Sequence, residues 1–166
     1  MCDSQWVSQL ADAMVREITL EMSGIDLRSV PPNAPQLKEG RRTDAVHGLV
    51  DGEHPIQVQF RAEPRLFVRL ARNMIGQEPE DGEEVREYAT EYFNVLCGRF
   101  LSELYRMGNI RVHNMTIPRY EVFPNVTEME RENLHALHFI SEEEEIVTFS
   151  WTAVPVEDML RRNSNV

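Results

Sequence analysis

Residues 84–104 read EVREYATEYFNVLCGRFLSEL, and the spacing of their apolar side chains decides the fold. Apolar residues recur every three or four positions, which predicts one long amphipathic helix. The apolar stripe consists of Val85, Ala89, Tyr92, Phe93, Leu96, Phe100 and Leu104. We expect this stripe to be buried and the opposite side of the helix to face solvent.

The opposite side of this helix holds two residues that a purely structural helix has little reason to keep. Glu87, Glu91, Asn94 and Gly98 follow one another at spacings of four, three and four, so they share the outward side. Asparagine and glycine are poor helix formers, and glycine costs about 1 kcal/mol relative to alanine in a helix interior. On an exposed face, Gly98 lets another protein backbone approach closely. Periodicity alone also permits a simpler interpretation, in which the two glutamates solvate the helix and Asn94 is incidental.

Length and composition limit the classes of protein to which the chain can belong. The 166 residues are 42% apolar and 27% charged, as in a soluble globular protein, and we expect a single domain over residues 1–166. The net charge of -11 disfavours nucleic acid as a partner and favours a basic protein surface. With only Cys2 and Cys97, the sequence shows no disulfide framework, so we expect a reducing, cytoplasmic location. No apolar run approaches the ~20 residues that cross a bilayer, and no membrane partner is expected.

The first part of the chain predicts helices that alternate with a hairpin. In order, the predicted segments are a helix that ends at Gly24, a loop-rich segment at 25–42, strands at 44–50 and 55–61 joined by a hairpin, and a helix from Pro64 to Gly76. In the second strand, apolar residues alternate with Gln57, Gln59 and Arg61, so one face of that strand should be wet.

The last third of the chain returns to strands. The segments NIRVHNMTI, RYEVF, NLHALHFI and EIVTFSWTAV are typical of strands, and four consecutive glutamates at 142–145 predict a solvated hairpin tip. A polar tail occupies residues 155–166. The order of helix, strands, two helices and strands predicts an α+β fold, in which a mostly antiparallel sheet is covered by long helices.

Histidines and cysteines give no pattern of a metal or nucleophile site. His135 and His138, the closest histidine pair, are three residues apart in a predicted strand, which puts them on opposite faces. The other three histidines add no recognisable ligand spacing, so we expect no metal site. Cys97 lies beside the apolar stripe and is interpreted as a small core residue.

At the long helix, the sequence resembles the CheX/CheC family of chemotaxis phosphatases, and most closely its single-motif CheX branch. The family signature is a Glu, two residues, an Asn and a Gly four residues beyond it, which EYFNVLCG at residues 91–98 matches. RLFVRLARNMIGQEPEDGEEV, just upstream, resembles the preceding family helix. Where the family often has Asp or Ser four residues before the Glu, this chain has Glu87. A second motif is not supported, because Leu70 stands where ARNMIG would need its glutamate.

The resemblance implies a CheC-like fold and hydrolysis of the aspartyl phosphate on a CheY-like receiver protein. It implies that Asn94 positions the attacking water and Glu91 docks to the receiver, with Glu87 and Gly98 in the docking surface. The receiver would bring its own Mg²⁺, so the chain is expected to need no cofactor. Family relatives are similar in forming homodimers by sheet extension, which implies a homodimer here. Because of Glu87, a non-catalytic CheX-like module that docks to a receiver or another signalling protein, or that dimerises, is the alternative.

Overall fold

The computed structural model describes residues 3–51, 56–109, 114–122 and 134–152. Within these ranges the helices are α1 (Asp3–Ser23), α2 (Pro64–Ile75) and α3 (Gly82–Gly108), with a short 3-10 helix at Pro35–Lys38. The strands are β1 (Leu27–Val30), β2 (Asp44–Asp51), β3 (Ile56–Ala62), β4 (Asn114–Met115), β5 (Arg119–Glu121), β6 (Leu134–Ser141) and β7 (Ile146–Thr152). The predicted hairpin connection between β2 and β3 and the predicted polar tail lie outside the described residues.

The strands form one sheet in the order β1-β6-β7-β3-β2-β4, and β5 pairs with β2 on the same edge as β4. Each pairing among the described strands is antiparallel. β1 lies within the predicted loop-rich segment at 25–42, and it is an edge strand of the sheet. The predicted α+β class with a mostly antiparallel sheet is confirmed.

The core lies between the three helices and one face of the sheet. Every residue of the predicted apolar stripe of α3 is buried, and Cys97 is buried beside it, as predicted. The ring of Tyr92 meets Phe60 of β3 edge-on at 5.2 Å between centroids, and Phe100 meets Phe149 of β7 at 5.6 Å. Such aromatic pairs stabilise a fold beyond the area that they bury. The stripe therefore fixes which side of α3 faces the sheet.

Individual residues set the end of α2, the start of α3 and the rotation of α3 against α1. The side chain of Asp81 accepts a hydrogen bond from the backbone N–H of Glu84 and caps the first turn. Gly76, in the left-handed conformation at φ 86°, ends α2 just before the connection to α3. In the interior, the hydroxyls of Thr19 on α1 and Tyr92 on α3 form a hydrogen bond. This buried bond has a direction, so it fixes the rotation of α3 against α1 more tightly than apolar contacts alone.

The predicted solvated hairpin tip at residues 142–145 is confirmed for Glu142, Glu143 and Glu144, which are exposed, and is wrong for Glu145. These residues form a turn between β6 and β7, but Glu145 is only 1% exposed. The guanidinium of Arg69, on α2, lies 2.6 Å from the Glu145 carboxylate and 2.5 Å from that of Glu142. Burial raises and the bond from Arg69 lowers the pKa of Glu142, and the net shift is downward. The turn is therefore an anchor for α2, because its charges meet a cation that is distant in sequence.

The wet face predicted for β3 is only partly open. Gln57 and Gln59 are half-buried, whereas Arg61 is buried, with 7% exposure. A guanidinium nitrogen of Arg61 lies 3.5 Å from the hydroxyl of Thr43. The alternation predicted the correct face, but neighbours from elsewhere in the chain decide how much of it reaches water.

Candidate functional site

The outer face of α3 carries the four residues that the sequence analysis placed there. Glu87, Glu91, Asn94 and Gly98 are all exposed. The carboxylate of Glu91 and the amide of Asn94 have no hydrogen-bond or ion-pair partner among the described residues. A carboxylate and an amide one helical turn apart thus project into solvent with their hydrogen-bonding capacity unused by the rest of the described chain.

The two residues between Glu91 and Asn94 hold them in this orientation. Tyr92 and Phe93 are both fully buried, at 0% exposure, and Leu96 follows them into the core. Because successive helix positions differ by about 100° in direction, burial of these neighbours turns Glu91 and Asn94 outward. The outer face is thereby a consequence of how the inner face packs.

The backbone of α3 gains nothing from the glycine at position 98. Among the described residues, a Cβ atom built on Gly98 would meet no atom within 4 Å apart from its chain neighbours and the adjacent backbone of its own helix. A glycine in a helix interior costs about 1 kcal/mol relative to alanine. Packing among the described residues therefore does not require a glycine at position 98.

Asn73, the asparagine of the incomplete ARNMIG segment, has a different environment. Its side-chain nitrogen donates a hydrogen bond of 2.7 Å to the backbone carbonyl of Ser23 at the end of α1. Helix ends leave carbonyl groups without intrahelical partners, and this bond satisfies one of them. Asn73 is engaged in the fold where Asn94 is not, which agrees with the single-motif interpretation.

One residue of this face was missed by the sequence analysis. Val95 is 42% exposed, although it is apolar, and it lies next to Asn94 on the outer side of α3. Positions 91, 94, 95 and 98 stand at i, i+3, i+4 and i+7, which makes them one contiguous patch on a helix surface. A count of helical directions that included apolar residues would have found it.

His135, His138 and Cys97 lie in ordinary structural environments. His135 stacks on the ring of Trp151, and His138 shares a hydrogen bond with Thr148, so the two histidines occupy opposite faces of β6, as predicted. Burial lowers the pKa of His138 and raises the pKa of the Cys97 thiol. In the ranges described, no three His, Cys, Asp or Glu side chains are grouped to hold a metal ion. None of the described helices is long and apolar enough to cross a membrane.

A long α3 packed with two other helices on one antiparallel sheet forms a CheC-like fold. The solved structures that resemble the chain bear this out. A CheC-like superfamily protein from Shewanella sp. PV-4 has a TM-score of 0.68 at 16% identity, over 89% of this chain and 97% of that one. Chemotaxis protein CheX from Desulfovibrio desulfuricans has a TM-score of 0.67 at 15% identity, over 87% and 97% of the two chains.

A third similar structure is a complex. The CheX-CheY-BeF3-Mg complex from Borrelia burgdorferi matches with a TM-score of 0.62 at 16% identity, over 88% of this chain and 94% of that one. No protein-family model and no curated protein sequence matches the chain. The predicted resemblance to CheX and CheC proteins is confirmed at the level of the fold. At these identities, the activity has to be argued from the site.

Proposed function

We propose that the protein is a phosphatase that accelerates hydrolysis of the aspartyl phosphate on a CheY-like receiver. The observation that carries this proposal is the exposed pair of Glu91 and Asn94 without partners in the described chain. The similar CheX structure in complex with CheY supports a receiver as the partner. The exposed helix supplies polar groups, and the receiver supplies the cleft in which they act.

Asn94 suits the positioning of a water molecule. Phosphoryl transfer needs mainly a nucleophile held in line and stabilisation of charge, with little covalent chemistry from the protein. A carboxamide both donates and accepts hydrogen bonds, so Asn94 can orient a water toward the phosphorus without itself changing protonation. In this proposal the Mg²⁺ belongs to the receiver, and the chain provides no metal ligand.

Glu91 has the role of docking. Its carboxylate would pair with a lysine of the receiver's active site and set the depth at which Asn94 enters. Close interfacial charge pairs contribute on the order of 1.5 kcal/mol or more to association in favourable cases. Glu87 and Gly98, on the same face, lie where the receiver's loops would pass, and the missing side chain of Gly98 leaves room for them.

We further propose that two copies associate through a sheet edge. β1 forms one edge of the sheet, and β4 with β5 forms the other. Edge strands present unpaired backbone groups that a second copy can satisfy, and a two-fold dimer is the commonest arrangement. Sedimentation of the full chain tests this proposal, and a monomer at all concentrations would contradict it. The proposed setting is the cytoplasm, where receivers act.

A phosphate-release assay tests the catalytic proposal. The substrate is a phosphorylated receiver from the same organism, incubated with the full chain. We expect Asn94→Ala to abolish the acceleration while the chain still binds the receiver and is at least as stable as the parent, because the amide has no hydrogen-bond partner in the described fold and alanine is the better helix former. Glu91→Ala should weaken binding as well. Asn73→Ala is the matched control, since it removes an asparagine that bonds within the fold and should keep the acceleration.

The phosphate-release assay also distinguishes the phosphatase from the alternative, a non-catalytic docking module. Glu87 stands where family members often carry Asp or Ser, and this departure from the family pattern keeps the non-catalytic alternative open. Binding of the phosphorylated receiver without faster phosphate release would support that non-catalytic module. Equal rates for Asn94→Ala and the parent protein would contradict the water-positioning role.

A further inference from the structure

A second set of exposed residues on the outer face of α3 overlaps the motif and continues toward the end of the helix. These residues are apolar or small, whereas the motif is polar. Val95 and Tyr105 are large apolar side chains with 42% and 54% exposure. Between them, Gly98 and Ser102 are exposed and small. These residues follow at spacings of three, four and three, so they share one side of the helix. With a rise of about 1.5 Å per residue, the strip is roughly 15 Å long. We call these four residues the apolar strip.

Packing within the described chain does not account for the apolar strip. Val95 and Tyr105 are both outside the core, and a Cβ at position 98 would meet only open space. Exposed apolar residues that occur singly are normal on protein surfaces. Here they flank two small residues and adjoin the motif, since Val95 shares one patch with Glu91 and Asn94. A receiver that covers the patch of Glu91 and Asn94 would therefore reach Val95 too.

The motif alone is too small for a specific complex. Stable interfaces bury about 800 Å² on each partner and involve roughly 20–30 residues a side. Glu91, Asn94 and Gly98 cover a single patch two turns long, so a docked receiver must also touch surface next to it. Toward the start of α3, that surface is acidic, with exposed Glu83 and Glu87. Toward the end of α3, it is the apolar strip.

We propose that the apolar strip binds an apolar surface beside the phosphorylation cleft of the same receiver and sets the lifetime of the complex. This inference rests on the proposed function. The receiver is the occupant because the strip is continuous with the motif that enters its cleft. The acidic half of α3 attracts a basic surface and acts on the association rate, as rim charges do. Desolvated apolar contacts act instead on the dissociation rate.

Binding kinetics test this division of roles. The measurement uses the full chain and a phosphorylated receiver from the same organism, at low and at high salt. For the double variant Val95→Thr and Tyr105→Gln, we expect dissociation to be roughly tenfold faster, with association unchanged at both salt concentrations. For Glu83→Gln with Glu87→Gln, we expect slower association at low salt and a smaller difference at high salt.

Two controls guard the interpretation. Leu20→Gln replaces an equally exposed apolar residue on α1, at 51% exposure, and should leave both rates unchanged. Val95→Thr alone keeps the shape of the side chain and should show part of the effect, which covers the case in which the double variant does not fold.

The contradicting outcomes are distinct. If the parent protein neither binds nor accelerates any phosphorylated receiver, the proposed function fails and this inference with it. If the parent is active and the double variant dissociates at the parent's rate, only the inference is overturned. If the double variant changes the oligomeric state and not dissociation from the receiver, the strip is covered by a second copy, and the inference is also wrong.

Discussion

Two acidic regions of this chain look alike in sequence and differ in structure. Residues 80–91 run into and along α3, and residues 142–145 form the turn between β6 and β7. On α3, Glu91 projects into solvent without a partner in the described chain. At the turn, Glu145 is buried against Arg69. Carboxylates that meet a buried cation hold the fold together, and those that point away from a packed face stay available to another molecule.

Removal of Arg69 should have the largest effect on stability. In Arg69→Met, the buried carboxylate of Glu145 loses its cation, and such a loss costs about 3–5 kcal/mol. We expect the free energy of unfolding, measured by chemical denaturation, to fall by that amount. Adding Glu145→Gln to the same chain should recover part of the loss, because no uncompensated charge then remains buried.

The exposed acidic region provides the control for this experiment. Glu91→Gln removes one charge from the outer face of α3 and should change the free energy of unfolding by no more than about 0.5 kcal/mol. A loss as large as that of Arg69→Met would show that the Glu91 carboxylate is part of the fold, and the distinction between the two regions would be lost.

Lowering the pH should weaken the ion pair between Glu142 and Arg69 at the turn between β6 and β7. The pKa of this carboxyl is lowered in the folded protein from its ordinary value of 4.5. A lowered pKa means that the folded state binds the proton less well than the unfolded state, so its stabilising contribution is present above pH 4.5 and is lost as the pH falls further. Chemical denaturation at a series of pH values from neutral to acid measures this contribution to the free energy of unfolding. We expect the difference in stability between the parent and Arg69→Met to narrow over the same range, and a constant difference would contradict it.

Gly98→Ala should have a smaller effect, of opposite sign, on stability. The added methyl group meets nothing within 4 Å, so the variant should be more stable by about 1 kcal/mol. At the same time, binding of a phosphorylated receiver should weaken, because the methyl group occupies the proposed contact surface. Gly82→Ala, at the start of the same helix and also in open space, is the matched control for binding. Higher stability with unchanged binding would remove Gly98 from the docking surface.

Most of the fold was predictable from local patterns. The helices ending at Gly24 and Gly76, the apolar stripe of α3 and the alternation in β3 each depend on residues close together in the chain. Strand lengths were less predictable. β4 ends at Met115 and β5 ends at Glu121, whereas the sequence predicted that both strands continue further along the chain. Strand pairing depends on the partner strand, which local patterns do not show.

The candidate site was predictable to the extent that it lies on one helix. A helix fixes the directions of its side chains by a local repeat, so the spacing of Glu91, Asn94 and Gly98 is enough to place them on the outer face. Val95 was missed because only the acidic, asparagine and glycine positions of the outer side were considered. Val95 is exposed because the sheet and the other two helices cover only one side of α3, and position 95 lies outside that side.

The sequence by itself determined the order of helices and strands, the inner and outer sides of α3 and the single Glu-x-x-Asn motif. Only the tertiary structure decided which glutamates are paired, how far Arg61 is buried and that Asn73 closes the end of α1. The physical reason is the distance along the chain between the residues that interact. Side-chain direction along a helix repeats within a few residues, whereas the partner of Glu145 is 76 positions away in the chain and meets it only when α2 packs against the turn between β6 and β7.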